Sequence, residues 1–117
     1  MPFQLKGRNV LVTGGSKGLG AVICRKFAGE GCNVAINYSS DNTAAESLAE
    51  ELQKRFGVRA IPIRADAGDM KDCARCVEET IKALGGLDVL IGESPELERS
   101  SEYTLMRARQ CWVDALL

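Results

Sequence analysis

The chain has 117 residues, 45% of them apolar, and carries 15 Lys and Arg against 16 Asp and Glu, for a formal net charge of -1. That length suits one domain with a core of useful size. With no basic run, nothing favours nucleic acid or an anionic membrane as a partner, and any nucleotide should be a small molecule. No stretch approaches the roughly 20 apolar residues of a membrane span, and Met1 to Lys6 lacks the apolar core of a signal peptide, so a cytoplasmic protein is expected.

The first element is an apolar strand over 8-13. It runs into Thr13-Gly14-Gly15-Ser16-Lys17-Gly18-Leu19-Gly20, followed by a helix over 18-29 that stops at Gly29-Glu30-Gly31. A diphosphate needs backbone N-H groups aimed at it, no Cβ in the way, and the positive end of a helix dipole. Gly14 allows the sharp turn off the strand, Gly18 the close approach, and Gly20 the tight seating of helix on sheet. The order strand, glycine loop, helix therefore places Gly14, Ser16, Lys17, Gly18, Leu19 and Gly20 around a dinucleotide's phosphates. Leu19, Val22, Ile23 and Phe27 form one apolar stripe on the helix.

The second strand, 32-37, ends in Asn37-Tyr38-Ser39-Ser40. A site that selects NAD places an acid about 20 residues past the glycine loop, where it binds the ribose hydroxyls and repels a 2′-phosphate. No acid precedes Asp41 here, whereas Lys17 supplies a cation and Asn37, Ser39 and Ser40 supply neutral donors, with Tyr38 among them. NADP(H) is expected over NAD(H). The second helix, 42-56, repeats Ala44, Leu48, Leu52 and Phe56 and closes at Gly57; Thr43 with Glu46 reads as its capping box.

A third strand over 58-63 leads through Ala65-Asp66-Ala67, a run that also suits a turn, to a third helix over 69-84 with Asp69 as N-cap and Gly85-Gly86 as its stop. The five cysteines, 24, 32, 73, 76 and 111, are odd in number and scattered, unlike a disulfide framework. Cys73 and Cys76 have C-x-x-C spacing, but the chain has no histidine and no second pair, and both lie near the stripe Met70, Val77, Ile81, Leu84. Helix packing is expected for them, and no metal. A fourth strand, 87-91, completes a βαβ series that implies a doubly wound parallel α/β sheet with its ligand at the carboxyl ends of the strands.

Residues 92-117 change character. Ser94, Pro95 and then Leu97, Leu105, Ala108, Trp112 and Leu116 read as one helix, and within it Tyr103 and Arg107 are four apart. A Tyr beside a cation suggests proton transfer, but no preceding fifth strand would set this pair against a cofactor, and an exposed helical pair is expected.

The glycine loop resembles the T-G-x-x-x-G-x-G cofactor motif of the short-chain dehydrogenase/reductase family, and the resemblance covers residues 3-91. It implies that Asp66, with Ala67, holds the adenine amino group, that 87-91 is the family's fourth strand, and that the parent reaction is hydride transfer between NADP(H) and a carbonyl or alcohol of 3-oxoacyl type. Where the family continues Asn-Asn-Ala-Gly, this chain continues Gly92-Glu93-Ser94-Pro95, and the family's serine and Tyr-x-x-x-Lys pair have no counterpart. The expectation is a partial Rossmann-type domain over 1-91, four strands in order 3-2-1-4, with a non-family tail over 92-117. It would bind the dinucleotide without catalysing turnover alone. Truncation, a shifted frame or retained non-coding sequence would account for the break. A fourth strand left at the edge would promote self-association or pairing with full-length relatives. The alternatives are a working or longer reductase, and an interaction protein that caps such relatives.

Overall fold

The computed structural model describes residues 5-16, 18-66 and 69-92, and the structural statements that follow concern those residues. Strand β1 (Asn9–Thr13), helix α1 (Gly18–Gly29), β2 (Asn33–Tyr38), α2 (Asn42–Phe56), β3 (Ala60–Arg64), α3 (Met70–Leu84) and β4 (Val89–Gly92) follow one another in chain order. The strands form one parallel sheet in the order β3-β2-β1-β4, the order that the family resemblance implies. Val10 stands between Val34 of β2 and Val89 of β4, and Tyr38 pairs with Arg64 at the carboxyl end.

Burial on both faces explains why the inner strands read as unbroken apolar runs. Val10, Val12, Val34 and Ile36 project into one cluster with α1 and α2, through Ala21, Cys24, Ala28, Ala45, Leu48, Ala49 and Leu52. Leu11, Ala35 and Ile63 project to the opposite face, where Cys73, Cys76, Val77 and Leu84 of α3 cover them. Cys73 and Cys76 are both fully buried, as the packing reading of the C-x-x-C spacing expects. Burial pushes the Cys76 thiol up to about 12, and does the same to Cys24. Both are therefore neutral packing groups at physiological pH.

One expectation needs correction. The N-cap of α2 is Asp41, not Thr43: its carboxylate accepts from the Ala44 N-H at 3.0 Å, while Glu46 accepts from the Asn42 side chain at 3.1 Å. The carboxylate, with two oxygens able to reach the first free N-H groups, displaces the Thr43 hydroxyl. On α1, the most deeply buried face is not the stripe of large residues, of which Ile23 and Phe27 pack against the core. The buried residues are Gly20, Ala21, Cys24 and Ala28, while Leu19 is 60% and Val22 45% exposed. The helix lies too close to β1 and β2 for bulky side chains between them. Leu19, Val22, Ile23 and Phe27 instead line a flank groove of about 430 Å³ with Leu5, Lys26 and Glu30.

Helix ends follow the sequence signals. Asp69 accepts from the N-H groups of Lys71 and Asp72 at 2.9 and 3.3 Å, and Gly57 and Gly85 close α2 and α3 in the left-handed conformation. At the amino ends of the strands, Asp88 accepts from the Asn9 N-H at 2.8 Å and Asn9 Nδ2 donates to the Leu84 carbonyl at 3.2 Å. That pole is closed by its own hydrogen bonds, and the carboxyl ends carry the glycine turn.

Candidate dinucleotide-binding site

The turn after β1 is built by two left-handed glycines, Gly14 at φ 62° and Gly18 at φ 55°. A Cβ on Gly18 would have no neighbour within 4 Å, so that side of the turn is open. Gly20 faces the other way: a Cβ there would collide with the Gly14 carbonyl and come within 2.8 Å of Gly15 Cα. Only glycine lets the first turn of α1 sit on the loop that precedes it. The first turn of α1 holds no acid. Its N-H groups, which a helix leaves without internal partners, thus meet an anion unopposed.

The loop is anchored from below. Gly15 N-H donates to the Asn37 carbonyl at 2.9 Å, Gly14 N-H donates to Asn37 Oδ1 at 3.2 Å, and the Cys24 thiol donates to the Gly15 carbonyl at 3.7 Å. Asn37 Nδ2 in turn donates to the carbonyls of Ala65 and Ile63 at 3.2 and 3.4 Å. Asn37 is only 3% exposed. This corrects its expected place as a donor to the ribose: both ends of the amide are spent inside the protein. It fastens the glycine turn to the ends of β2 and β3 instead.

The remaining predicted residues gather along the same rim. The Tyr38 hydroxyl donates to Asn42 Oδ1 at 2.7 Å, and the Tyr38 carbonyl accepts from the Ala65 N-H at 3.0 Å. Ser39 is half-buried and Ser40 exposed, directly before the cap of α2. Asp66 is exposed just past β3 and forms the turn into α3, its carbonyl accepting from the Asp69 N-H and its own N-H donating to Asp72 Oδ2, both at 3.0 Å. Ser16 is half-buried and Gly18 and Leu19 exposed on the glycine turn. Lys17 and Ala67 lie outside the described residues, as do Tyr103, Arg107 and the helix expected beyond Gly92.

One residue escaped the sequence reading. Arg64, the last residue of β3, donates from Nε to the Ser39 carbonyl at 3.3 Å, and its own carbonyl accepts from Arg75 Nη2 at 2.5 Å. The only sequence signal for it was a cation at the carboxyl end of a strand. Among the described residues no group of three or more His, Cys, Asp or Glu is placed to hold a metal. Nor is any helix of them long and apolar enough to cross a membrane.

Comparison with known proteins agrees with this geometry. The family described as short chain dehydrogenase matches residues 8–105, past the point where the motif resemblance ends. General stress protein 39 of Bacillus subtilis is 37% identical over 93 residues, which are 80% of this chain and 32% of that protein. The 3-oxoacyl-[acyl-carrier-protein] reductase FabG of Staphylococcus aureus is 36% identical over 110 residues, 93% of this chain and 43% of that one. A short chain dehydrogenase from Burkholderia cenocepacia, solved in complex with NADP, superposes with a TM-score of 0.75 at 30% identity, over 96% of this chain and 52% of its own. The chain thus spans a third to a half of the relatives it matches.

Proposed function

The chain belongs to the short-chain dehydrogenase family, and on that premise we propose that it is an NADP(H)-binding half-domain whose parent reaction is hydride transfer between NADP(H) and a carbonyl or alcohol, 3-oxoacyl substrates being the model. The observation that carries this reading is the glycine turn: two left-handed glycines, an open face at Gly18, and a Gly20 that admits no side chain. A diphosphate fits the space that a Cβ at Gly18 would enter. Gly14, Ser16, Lys17, Gly18, Leu19 and Gly20 would hold it, chiefly through backbone N-H groups, and Asp66 with Ala67 would flank the adenine. When bound, the nicotinamide ring supplies the hydride donor or acceptor.

The choice of NADP(H) over NAD(H) rests on the ribose rim. The first acid after β2, Asp41, accepts from the Ala44 N-H at the start of α2, so its charge meets the positive end of that helix. The NADP complex of the Burkholderia relative supports the same choice. The residues of this chain bind and orient; the reading assigns them no proton transfer. Of the two tyrosines in the chain, Tyr38 commits its hydroxyl to Asn42, at the ribose end of the site.

Thermal shift and calorimetric titration with NADPH and NADH test the proposal, since a ligand that binds the native state alone raises stability. Stabilisation by NADPH, with weaker stabilisation by NADH, is expected, together with no turnover of a panel of ketones and 3-oxoacyl thioesters. No shift with either nucleotide overturns the binding reading. Turnover abolished by Tyr103→Phe would instead make the chain a working reductase.

A second property is favoured by one observation. The apolar flank of α1, with Leu19 and Val22 exposed, lies on the same face as the half-buried Val89 and Ile91 of the end strand β4. Self-association through that face is proposed. Sedimentation equilibrium of the wild type and of Val22→Asp tests it, and a wild type that stays monomeric at high concentration refutes it.

A further inference from the structure

We propose that Arg64 is a specificity-determining residue that binds the 2′-phosphate of NADP(H), beside the Lys17, Ser39 and Ser40 expected around the same ribose. This inference rests on the NADP(H) reading above and identifies the group on β3 that would enforce it. Arg64 closes β3 opposite Tyr38, its register partner on β2. Its Nε donates to the Ser39 carbonyl at 3.3 Å, so the guanidinium lies against the Ser39-Ser40 turn, the segment expected at the adenine ribose.

The charges around it favour this assignment. Arg75, the neighbouring cation, is neutralised by Glu79 at 3.1 Å and Asp72 at 3.7 Å, and its Nη2 is spent on the Arg64 carbonyl. Arg64 has no carboxylate partner among the described residues, and the Ser39 carbonyl is the one acceptor its guanidinium meets there. An arginine has five N-H donors in a planar fork, and the bond from Nε fixes the plane while leaving the terminal nitrogens for a second acceptor. A dianionic phosphate monoester matches that fork, whereas the 2′-hydroxyl of NAD(H) offers no charge to it. A guanidinium anchored to one carbonyl and left uncompensated is what such a selector requires.

The test compares wild type, Arg64→Ala and Arg64→Lys by calorimetry with NADPH and NADH. Adenosine 2′,5′-bisphosphate and adenosine 5′-monophosphate serve as probes that isolate the 2′-phosphate. In Arg64→Ala, affinity for NADPH and for the bisphosphate should fall by about tenfold or more, the loss of one charge-assisted contact, while NADH and the monophosphate change less than about twofold. Arg64→Lys should recover part of the loss, and the gap between wild type and Arg64→Ala should narrow as salt rises. Equal weakening of all four ligands overturns the proposal, because Arg64 then merely shapes the Ser39 turn. Unchanged affinities overturn it as well. A wild type that prefers NADPH while Arg64→Ala keeps that preference sinks this inference alone. A wild type that binds no dinucleotide sinks the underlying reading.

Discussion

Replacing Asn37 by Ala should separate the role of this buried amide from that of a surface ligand contact. The amide makes three bonds, to the Gly14 N-H at 3.2 Å and to the Ala65 and Ile63 carbonyls at 3.2 and 3.4 Å, and is 3% exposed. Truncation leaves one part-buried donor and two buried acceptors in want of partners, at about 1-3 kcal/mol for each group that finds no water. The two carbonyls have second lone pairs and sheet neighbours, so the Gly14 N-H dominates, and a total loss of about 2-4 kcal/mol is expected. Urea unfolding measures that loss, and NADPH titration should show weaker binding through a loosened glycine turn.

Asn37→Asp sharpens the test. An ionised carboxylate would still accept from Gly14 but would face the Ile63 and Ala65 carbonyls with lone pairs, so only the protonated form can donate to them. Its folded-state pKa is therefore raised above the ordinary aspartate value near about 4. A raised folded-state value makes the variant's stability greatest at low pH and diminishing as pH rises through that value. A loss below about 0.5 kcal/mol in Asn37→Ala, or an Asn37→Asp variant that gains stability with rising pH relative to wild type, would falsify the reasoning.

Other outcomes follow from the same geometry. Gly20→Ala must push α1 off the Gly14 carbonyl, so it should cost about 1-3 kcal/mol in urea unfolding and weaken NADPH binding together; a variant of wild-type stability refutes the contact. Gly18→Ala has open space but a left-handed backbone, so it should cost only about 1 kcal/mol in apo stability while lowering NADPH affinity tenfold or more by calorimetry. Leu11→Ala, at a fully buried position on the α3 face, should cost about 2-5 kcal/mol in the same unfolding assay. Cys24 and Cys76 ionise near 9.0 when unfolded but only at about 12 when buried. Below the lower value both states are protonated and stability is fully present. Between the two values the unfolded state loses protons first, and each thiol then subtracts up to about 1.4 kcal/mol per pH unit. Alkaline unfolding in a Cys24→Ala, Cys76→Ala double variant should show a shallower pH slope than wild type over that window.

The strand-helix alternation and the ends of α2 and α3 were legible because each depends on local chemistry, whereas the strand order 3-2-1-4 came with the family resemblance. Periodicity names the element, Asp69 offers a carboxylate to the first N-H groups of α3, and Gly57 and Gly85 accept the left-handed turn. The glycine loop was legible for the same reason, since the conformations of Gly14 and Gly18 are demands on the backbone that glycine meets almost alone. Which residue caps α2 was less so. Asp41 and Thr43 are both competent, and the approach of the chain from β2 decides between them.

Tertiary structure decided what depends on distance across the sheet. Hydropathy marks the large residues of α1 as one stripe without saying which face of the helix meets the sheet. The closeness of that helix to β1 and β2 seats Gly20, Ala21, Cys24 and Ala28 there and leaves Leu19 and Val22 in solvent. Asn37 reads as a ribose donor from its place after an apolar run, but its amide meets Gly14, Ile63 and Ala65, partners up to 28 residues away in the chain. Arg64 is an ordinary strand-end cation until Ser39, 25 residues earlier, is brought beside it. The sequence by itself determined the turn that follows β1, because that turn is set by left-handed glycines of the backbone. Packing decided which side chains brace that turn, because a side chain's role is set by neighbours that only the folded sheet supplies.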